Sequence, residues 1–471
     1  MDIAKIKKVY MIGIKGVGMT MLAQFLVARG VEVTGSDVKE KFMTDEVLKK
    51  AGIKVIEKFD VVNIPNDIDL IIYSTAYNET TNEEVKRAKA GKTSVLAYAD
   101  ALGQIFNNYY GIAVAGSHGK TTTAAWLGFV MQQAKLSPNV LVGANVPQFD
   151  GCAITGPSDY LVIEADEYQN KLKYFSPKAV LLNNIDYDHP DFFATPDDYK
   201  QVFIEFIARI PKKGFLVANF DDPIIRKIAN VNSRAKVISY AINEAADYVA
   251  YDIKFFNGQQ FFKVKIGVDD ETDEDGAANK ELGDFSIKLA GRHNIYNALA
   301  VIATAIELGI DLSTIRQALE DFTGTARRLQ ILGEYNGAAI IDDYAHHPTE
   351  IKATLAGVKD LYPKKNKIVV FHPHTFTRTK ALLDDFAQSF ELADELIVVD
   401  IYGSAREVQG GISSADLVNK IKEVNQRTKA SYIPTLGEVE KYLKNKINSN
   451  DVVVLMGAGD IFRVGERLLN N

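Results

Sequence analysis

The densest chemistry in the chain lies in Tyr110–Gly128, YGIAVAGSHGKTTTAAWLG. A short apolar run, Ile112–Ala115, leads into Gly116, Ser117, His118, Gly119, Lys120, Thr121 and Thr122, and then into residues that propagate well as a helix. A strand that breaks into a glycine-bearing loop and opens a helix aims backbone N–H groups at one spot, where the helix dipole adds partial positive charge. That arrangement suits a polyphosphate. Lys120 would reach the outer phosphates and the Thr121 hydroxyl would hold Mg²⁺. The usual loop of this kind carries glycine five positions before Gly119, where this chain has Val114, so this is a variant form. The reading is a nucleoside-triphosphate site; the plainer alternative is a glycine turn with an exposed lysine.

Carboxylates stand where such a loop needs them. Tyr160–Glu167 is an apolar strand ending in Glu164-Ala-Asp166-Glu167, and hard cations take oxygen ligands. Glu164 is the first Mg²⁺ candidate. His189, at the end of Asn183-Asn-Ile-Asp-Tyr-Asp-His, is the second, although imidazole is a minority ligand for that ion. Lys200, in the helical Asp197–Ile207 segment, reads as a surface lysine, with carbamylation as the alternative.

A second glycine turn lies near the start, in Gly13-Ile-Lys-Gly16-Val17-Gly18-Met19-Thr20, between the strand Lys8–Ile14 and a helix through Ala28. The next strand ends in Gly35-Ser36-Asp37, about where a dinucleotide fold reads a ribose. The spacing is G-x-x-G-x-G rather than G-x-G-x-x-G, so backbone approach to a diphosphate fits as well as a nicotinamide nucleotide. Ser74, ending the strand Asp69–Ser74, and the helix opened by Asn82-Glu83-Glu84 would line the same crevice.

Late in the chain four strands end in polar or glycine residues: Asp342-Asp343-Tyr344-Ala-His346-His347, His372-Pro-His374 running on to Arg378, the strand Glu395–Asp400, and Gly457-Ala-Gly459-Asp460. Strands alternating with helical segments make a small parallel sheet, and its strand ends should share one crevice. There are only seven histidines: His118, His189, His293, His346, His347, His372 and His374. Each falls near a strand end or phosphate loop, which points to a polar site assembled from two domains. Gly291-Arg292-His293-Asn294 begins a helix in which Asn294 either caps or bonds an adenine.

At 471 residues the chain exceeds one core, and domains of roughly 100–200 residues suggest three. Apolar residues make up 47% and charged ones 24%, an ordinary globular balance, and the net charge of −7 argues against nonspecific nucleic-acid or membrane binding. The single cysteine, Cys152, has no internal partner, as expected in a cytoplasmic protein. No apolar stretch approaches the roughly 20 residues of a membrane span. Acid-rich Val268–Asp284, flanked by alternating Phe255–Val268 and Phe285–Leu289, reads as a hairpin with a long solvated tip.

Taken in order, the Gly13–Thr20 turn, GSHGKTTT, EADE, Asn184–His189, GRHN, ARR, DDYAHHPTE, PHTFTRT and GAGDI resemble the Mur ligase family across nearly the whole chain. Lys15 stands where that family usually has glycine, Ser117 where it has threonine and His372 where it has glutamine. The resemblance implies three α/β domains: Rossmann-like 1–107 for a UDP-sugar, a P-loop-type ATPase over 108–322, and a Rossmann-like amino-acid domain over 323–471. It implies ATP and Mg²⁺, with UDP-N-acetylmuramate and L-alanine as substrates. The UDP-sugar would meet Gly16, Val17, Gly18, Met19, Asp37 and Ser74. ATP would meet Gly116–Thr122, Asn294, Arg328 and Asp343, and the metal Thr121, Glu164 and His189. Tyr344, His346, His374 and Arg378 would line the alanine pocket. Arg378 would pair with the substrate carboxylate, and His346 would take the ammonium proton because imidazole titrates in the right range. Arg328 would add positive charge, and Asp343 would hold the ribose or orient neighbouring groups. Catalysis would require the third domain to close. A monomer or homodimer is expected. Three other readings remain: the tripeptide-recycling relative, an NAD(P)-dependent enzyme on the first turn, and a non-catalytic nucleotide switch.

Overall fold

The structure, a computed structural model, describes residues 5–267, 280–403, 407 and 410–470. Its contacts group into two units. The first is drawn from Met1–Ile185, Gln201–Val249 and Ala298–Phe322, and the second from Asp186–Lys200, Ala250–Asn297 and Thr323–Asn471.

The first unit opens with five parallel strands: β1 (Lys8–Ile12), β2 (Glu32–Ser36), β3 (Lys54–Ile56), β4 (Leu70–Tyr73) and β5 (Ser94–Ala97), in the order β3-β2-β1-β4-β5. Val9–Ile12 are fully buried, which is why β1 reads as a continuous apolar run rather than an alternation. The strand order reverses between β1 and β4, so a crevice opens beyond their carboxyl ends. The chain turns there at Gly13 (φ 79°), where a Cβ would lie 2.8 Å from that of Ser74.

The same unit holds β6 (Tyr110–Ala115), β7 (Asn139–Val146), β8 (Gly151–Ile154), β9 (Tyr160–Glu164), β10 (Ala179–Leu182), β11 (Phe215–Asn219) and β12 (Lys236–Ala241). They run β12-β11-β10-β6-β9-β7-β8, parallel except for β7 with β8. Strand β6 therefore sits between β10 and β9, and the loop that follows it leaves from the middle of the sheet. Helix Lys120–Gln133 is buried almost all round, from Thr121 to Met131, and Trp126 stacks on Phe322 at 5.2 Å. An uncharged helix interior needs such burial.

β13 (Tyr248–Phe256) starts in the first unit, where Tyr248 and Val249 pair with Tyr240 and Ala241. The segment read as one strand, Phe255–Val268, is in fact divided. Asn257 (φ 50°) and Gly258 (φ 76°) make a two-residue turn before β14 (Gln259–Ile266), because Asn-Gly supplies the two positive φ angles a tight hairpin needs. β15 (Lys280–Ile287) pairs antiparallel with β14, so the expected hairpin forms. Its acid-rich tip, residues 268–279, lies outside the described residues.

The rest of the second unit is built on β16 (Gln330–Tyr335), β17 (Ala338–Asp343), β18 (Asn366–Phe371), β19 (Glu395–Val398), β20 (Lys429–Tyr432) and β21 (Asp451–Met456), ordered β16-β17-β21-β18-β19-β20. Only β16 runs antiparallel; the sequence reading had not placed it. Separate apolar clusters cover the two faces, one around Phe371, Phe386 and Phe390 and the other around Val439, Leu443 and Val464. The carboxyl ends are stitched in a row: Gly457 N donates to Asp343 O (3.0 Å), His372 N to Met456 O (2.8 Å) and Val399 N to Phe371 O (3.1 Å). The strand ends expected to share one crevice are thus neighbours.

Candidate functional site

In the first unit, the loop after β6 is shaped by backbone that only glycine tolerates and by one side chain that clamps it. Gly116 has φ 131° and Gly119 φ 78°, and a Cβ on Gly116 would fall 2.9 Å from Asn184 O. Asn184 bonds the loop three times: its Oδ1 accepts from His118 N (2.7 Å), its Nδ2 donates to His118 O (3.1 Å), and its carbonyl accepts from Ser117 N (3.1 Å). The Lys120 ammonium is folded onto the loop, donating to Gly116 O (2.6 Å), Ser117 O (3.0 Å) and Glu167 (2.8 Å). Burial would lower its pKa, but Glu167 and Asp166 outweigh this and raise it, so Lys120 stays charged. Thr121 Oγ1 donates to Glu164 Oε2 at 2.5 Å. Space for Glu164 comes from Gly143, where a Cβ would sit 1.9 Å from its Oε1. Glu167, within the EADE motif but given no role from sequence, is the buried partner of Lys120.

This arrangement fits Mg²⁺ and a triphosphate in its donor set: a hydroxyl and a carboxylate already in contact, hard oxygens both, beside a charged lysine. Thr122 is buried in the first helical turn. His189, the other metal candidate, belongs to the second unit, as do Asn294, Arg328 and Asp343.

At the first glycine turn, Gly16 precedes helix Val17–Ala28, Val17 is 43% exposed and Met19 is buried. Gly18 lies against Tyr98, whose ring a Cβ would meet at 2.7 Å. Ser74 N donates to Ile12 O (2.8 Å), which brings Ser74 beside Gly13. Lys15 points into the protein, 1% exposed, donating to Val38 O, Glu40 O and Glu57 and pairing with Asp45 at 3.2 Å. It is a staple for the following loop rather than a group aimed at a diphosphate. Asp37 is engaged in the same loop: its carboxylate accepts from Lys15 N (2.7 Å) and Val38 N (2.8 Å) and is 4% exposed.

In the second unit a polar cluster gathers three stretches of chain. Arg378, in helix Phe376–Ala381, grips Asp188 with Nε to Oδ1 at 2.9 Å and Nη2 to Oδ2 at 3.2 Å. The guanidinium edge expected to take a substrate carboxylate is thus held by an acid of the chain, which the sequence reading quoted without a role. Arg378 Nη1 lies 3.3 Å from His374 Nδ1, and Tyr402 stacks on the His374 ring at 5.7 Å. His346 Nδ1 lies 3.0 Å from Tyr344 O; a carbonyl only accepts, so Nδ1 carries the proton and Nε2 keeps its lone pair. Glu350 accepts from His346 N (3.0 Å) and sits 3.8 Å from Arg328. His347 caps helix Pro348–Leu361, and Thr349 Oγ1 donates to Asp186 at 2.5 Å.

Burial lowers His346 to about 4, partly countered by Glu350, and His374 to about 3. The expectation that His346 titrates near neutrality therefore fails: desolvation disfavours the imidazolium, and the ring is neutral at physiological pH. Asp343 accepts from Leu329 N (2.7 Å), Ala345 N (2.8 Å) and Thr354 Oγ1 (3.0 Å) and is 4% exposed, so its contacts are those of a group that orients its neighbours. Asn294 does not cap its helix. It is the third residue of Arg292–Glu307, donating to Ala290 O (2.7 Å) and accepting from Asn297 (3.0 Å). Arg327, beside Arg328 in the ARR motif, was missed: it pairs with buried Asp342 (3.1 Å) and donates to Gly457 O (2.6 Å). Lys200 pairs with Asp197 on its own helix. Six of the seven histidines fall in the second unit, His118 being the exception.

Three family descriptions match the chain: the Mur ligase family catalytic domain over residues 8–110, the Mur ligase middle domain over 114–305 and the Mur ligase glutamate ligase domain over 327–459. The chain is 39% identical to the UDP-N-acetylmuramate–L-alanine ligase of Alkaliphilus metalliredigens, covering 100% of this chain and 98% of the relative. It is 38% identical to that of Desulfitobacterium hafniense, covering 98% and 99%. The crystal structure of UDP-N-acetylmuramate-alanine ligase from Thermotoga maritima superposes with a TM-score of 0.81 at 26% identity, over 98% of each chain. A murein peptide ligase from Psychrobacter arcticus shares the fold, with a TM-score of 0.73 at 23% identity over 98% of each chain. With its three sheets and full-length relatives, the chain belongs to the Mur ligase family.

Proposed function

We propose that this chain joins L-alanine to the lactyl carboxylate of UDP-N-acetylmuramate, consuming ATP and releasing ADP and phosphate, as the first amino-acid step of peptidoglycan precursor synthesis. The observation that carries the substrate assignment is the end-to-end similarity, at 37–40% identity, to relatives named for this activity. Such a substrate and ATP place the work in the cytoplasm, and no helix among the described residues is long and apolar enough to cross a membrane.

A carboxylate is a poor electrophile at neutral pH, so the γ-phosphoryl group of ATP is first transferred to it. The amine of alanine attacks the resulting acyl phosphate, and phosphate leaves from a tetrahedral intermediate. Phosphoryl transfer depends mainly on positioning and charge neutralisation. In the first unit the Gly116–Thr122 backbone cradles the phosphates, and Lys120 exchanges Glu167 for the outer ones. Thr121 and Glu164 would hold Mg²⁺, which would supply charge neutralisation at the phosphoryl oxygens. The first turn, with Gly16, Val17, Gly18, Met19 and Ser74, receives the UDP-sugar, and residues 1–107, 108–322 and 323–471 act as the sugar-nucleotide, ATP and amino-acid domains.

In the second unit Tyr344, His346, His374 and Arg378 surround the alanine. His346, neutral and with Nε2 left unprotonated by its bond to Tyr344 O, shapes the alanine pocket. Arg328 adds positive charge, and Asp343 holds the loop that carries Tyr344. The test is phosphate release with each substrate omitted in turn. L-alanine and UDP-N-acetylmuramate should both be required. Stimulation by the muramyl tripeptide's free peptide, with none by alanine, would move the chain to the recycling activity, and indifference to both would sink the reading.

A further inference from the structure

The Arg378–Asp188 pair is shut away, with side chains 5% and 8% exposed, yet it lies among the groups that surround the alanine position. A bidentate pair at 2.9 and 3.2 Å satisfies one edge of the guanidinium and both oxygens of the carboxylate. The His374 ring sits against Nη1, and His346 lies 6.0 Å from His374, ring centre to ring centre. Both rings are neutral, so the arginine and the aspartate set one charge of each sign side by side here, with Glu350 and Asp191 acting on Arg378 from further out.

An amino acid has the same pattern. It carries one cation and one anion separated by a single carbon, and it must leave water without abandoning either charge. A lone arginine would recognise any small carboxylate. An arginine with an aspartate beside it recognises a carboxylate best when an ammonium comes with it, because a bare carboxylate that displaced Asp188 would leave that acid buried without its guanidinium, holding only the His189 N–H.

We propose that Asp188 is the ammonium-binding residue for the amino-acid substrate, exchanging part of its contact with Arg378 for the substrate's cation while Arg378 takes the carboxylate. The pair seen in the structure is thus a template of the zwitterion it admits. Specificity against hydroxy acids and simple carboxylates follows from Asp188, not from the histidines. This inference rests on the amino-acid-ligase reading above.

The experiment compares two probes by calorimetry, on the full chain with UDP-N-acetylmuramate and a non-hydrolysable ATP analogue present: L-alanine, and propionate, which has the carboxylate without the ammonium. In Asp188→Asn, alanine affinity should fall at least tenfold while propionate affinity holds or rises. Equal losses for both probes, or none, overturn the proposal and leave Asp188 as a brace for Arg378. If Asp188→Asn does not fold, Asp188→Glu carries the comparison. There the acid survives, and alanine should keep its advantage over propionate to within a few fold; loss of that advantage counts against the idea. If wild-type protein binds no alanine at all, the ligase reading has failed instead.

Discussion

The phosphate loop of the first unit and the polar cluster of the second are made in opposite ways. The loop is local: Gly116 to Thr122 are contiguous, two positive-φ glycines set the path, and the helix Lys120–Gln133 aims its first N–H groups without help from distant side chains. The cluster is assembled from afar. Arg378 meets Asp188 across 190 positions, and Thr349 meets Asp186 across 163. What holds it is charge and hydrogen bonding between side chains in low dielectric, where a satisfied network is rigid and a broken one costly. A backbone-built site should therefore lose function without losing stability when a side chain is removed, and a side-chain-built site should lose both.

The sharpest test falls on the loop. Lys120→Ala deletes the one charged group there while leaving Gly116 and Gly119 to shape the path. We expect phosphate release to fall by about a thousandfold, in line with loss of a preorganised transition-state donor. A collapse of stability with activity would mean the loop depends on the Lys120–Glu167 pair and is built like the cluster.

The difference in construction also explains what could be read beforehand. Contiguous motifs announce themselves, so the Gly116–Thr122 loop, the Glu164 strand end and the neighbouring strand ends of the last sheet were legible, each being a strand terminus with a run of marked residues. Asp188 was visible as a letter, but its partner was not, because nothing local says which arginine lies opposite. Arg327 and Arg328 adjoin in sequence, and only φ 61° at Arg327, with Asp342 behind it, decides that the first is buried and the second half-exposed. The His346 pKa was misjudged for the same reason: ring type fixes the reference value near 6.5, while burial, a property of the fold, sets the shift. Lys15 is the converse case. It breaks a glycine pattern yet leaves the turn alone, because its side chain is long enough to reach Val38 O and Glu57.

The next effect belongs to the cluster. His346 at about 4 and His374 at about 3 are both depressed below the unfolded value near 6.5. Between those limits the unfolded chain binds more protons than the folded one, so stability must fall as pH drops from about 6.5 toward 4. Buried Asp342, raised to about 6 by desolvation, contributes with the opposite sign, losing stability as pH rises through the same window. Asp343 is raised by burial as well and His372 lowered by it, so three histidines stand against two acids. His346→Gln should remove on the order of 3 kcal/mol of this acid sensitivity, at 1.36 kcal/mol per pKa unit, read as a flatter plot of unfolding free energy against pH. An unchanged slope would mean the ring is solvated and the cluster less closed than its geometry says.

The smallest effect probes the distant side chain that holds the loop's backbone. Asn184 stands 66 positions from His118 and bonds both its N–H and its carbonyl, a borrowing from the cluster's way of building. Asn184→Ala deletes two side-chain bonds but keeps the backbone bond from Ser117 N to residue 184 O. Each lost bond is worth about 1 kcal/mol, and half-buried His118 can take water in their place. If the glycines carry the shape, KM for ATP should rise by no more than about tenfold, the 1.4 kcal/mol equivalent, with kcat nearly kept. A loss as deep as that of Lys120→Ala would show that the clamp, and not the backbone, positions the phosphates. The contrast between the two sites would then reduce to the number of their long-range contacts.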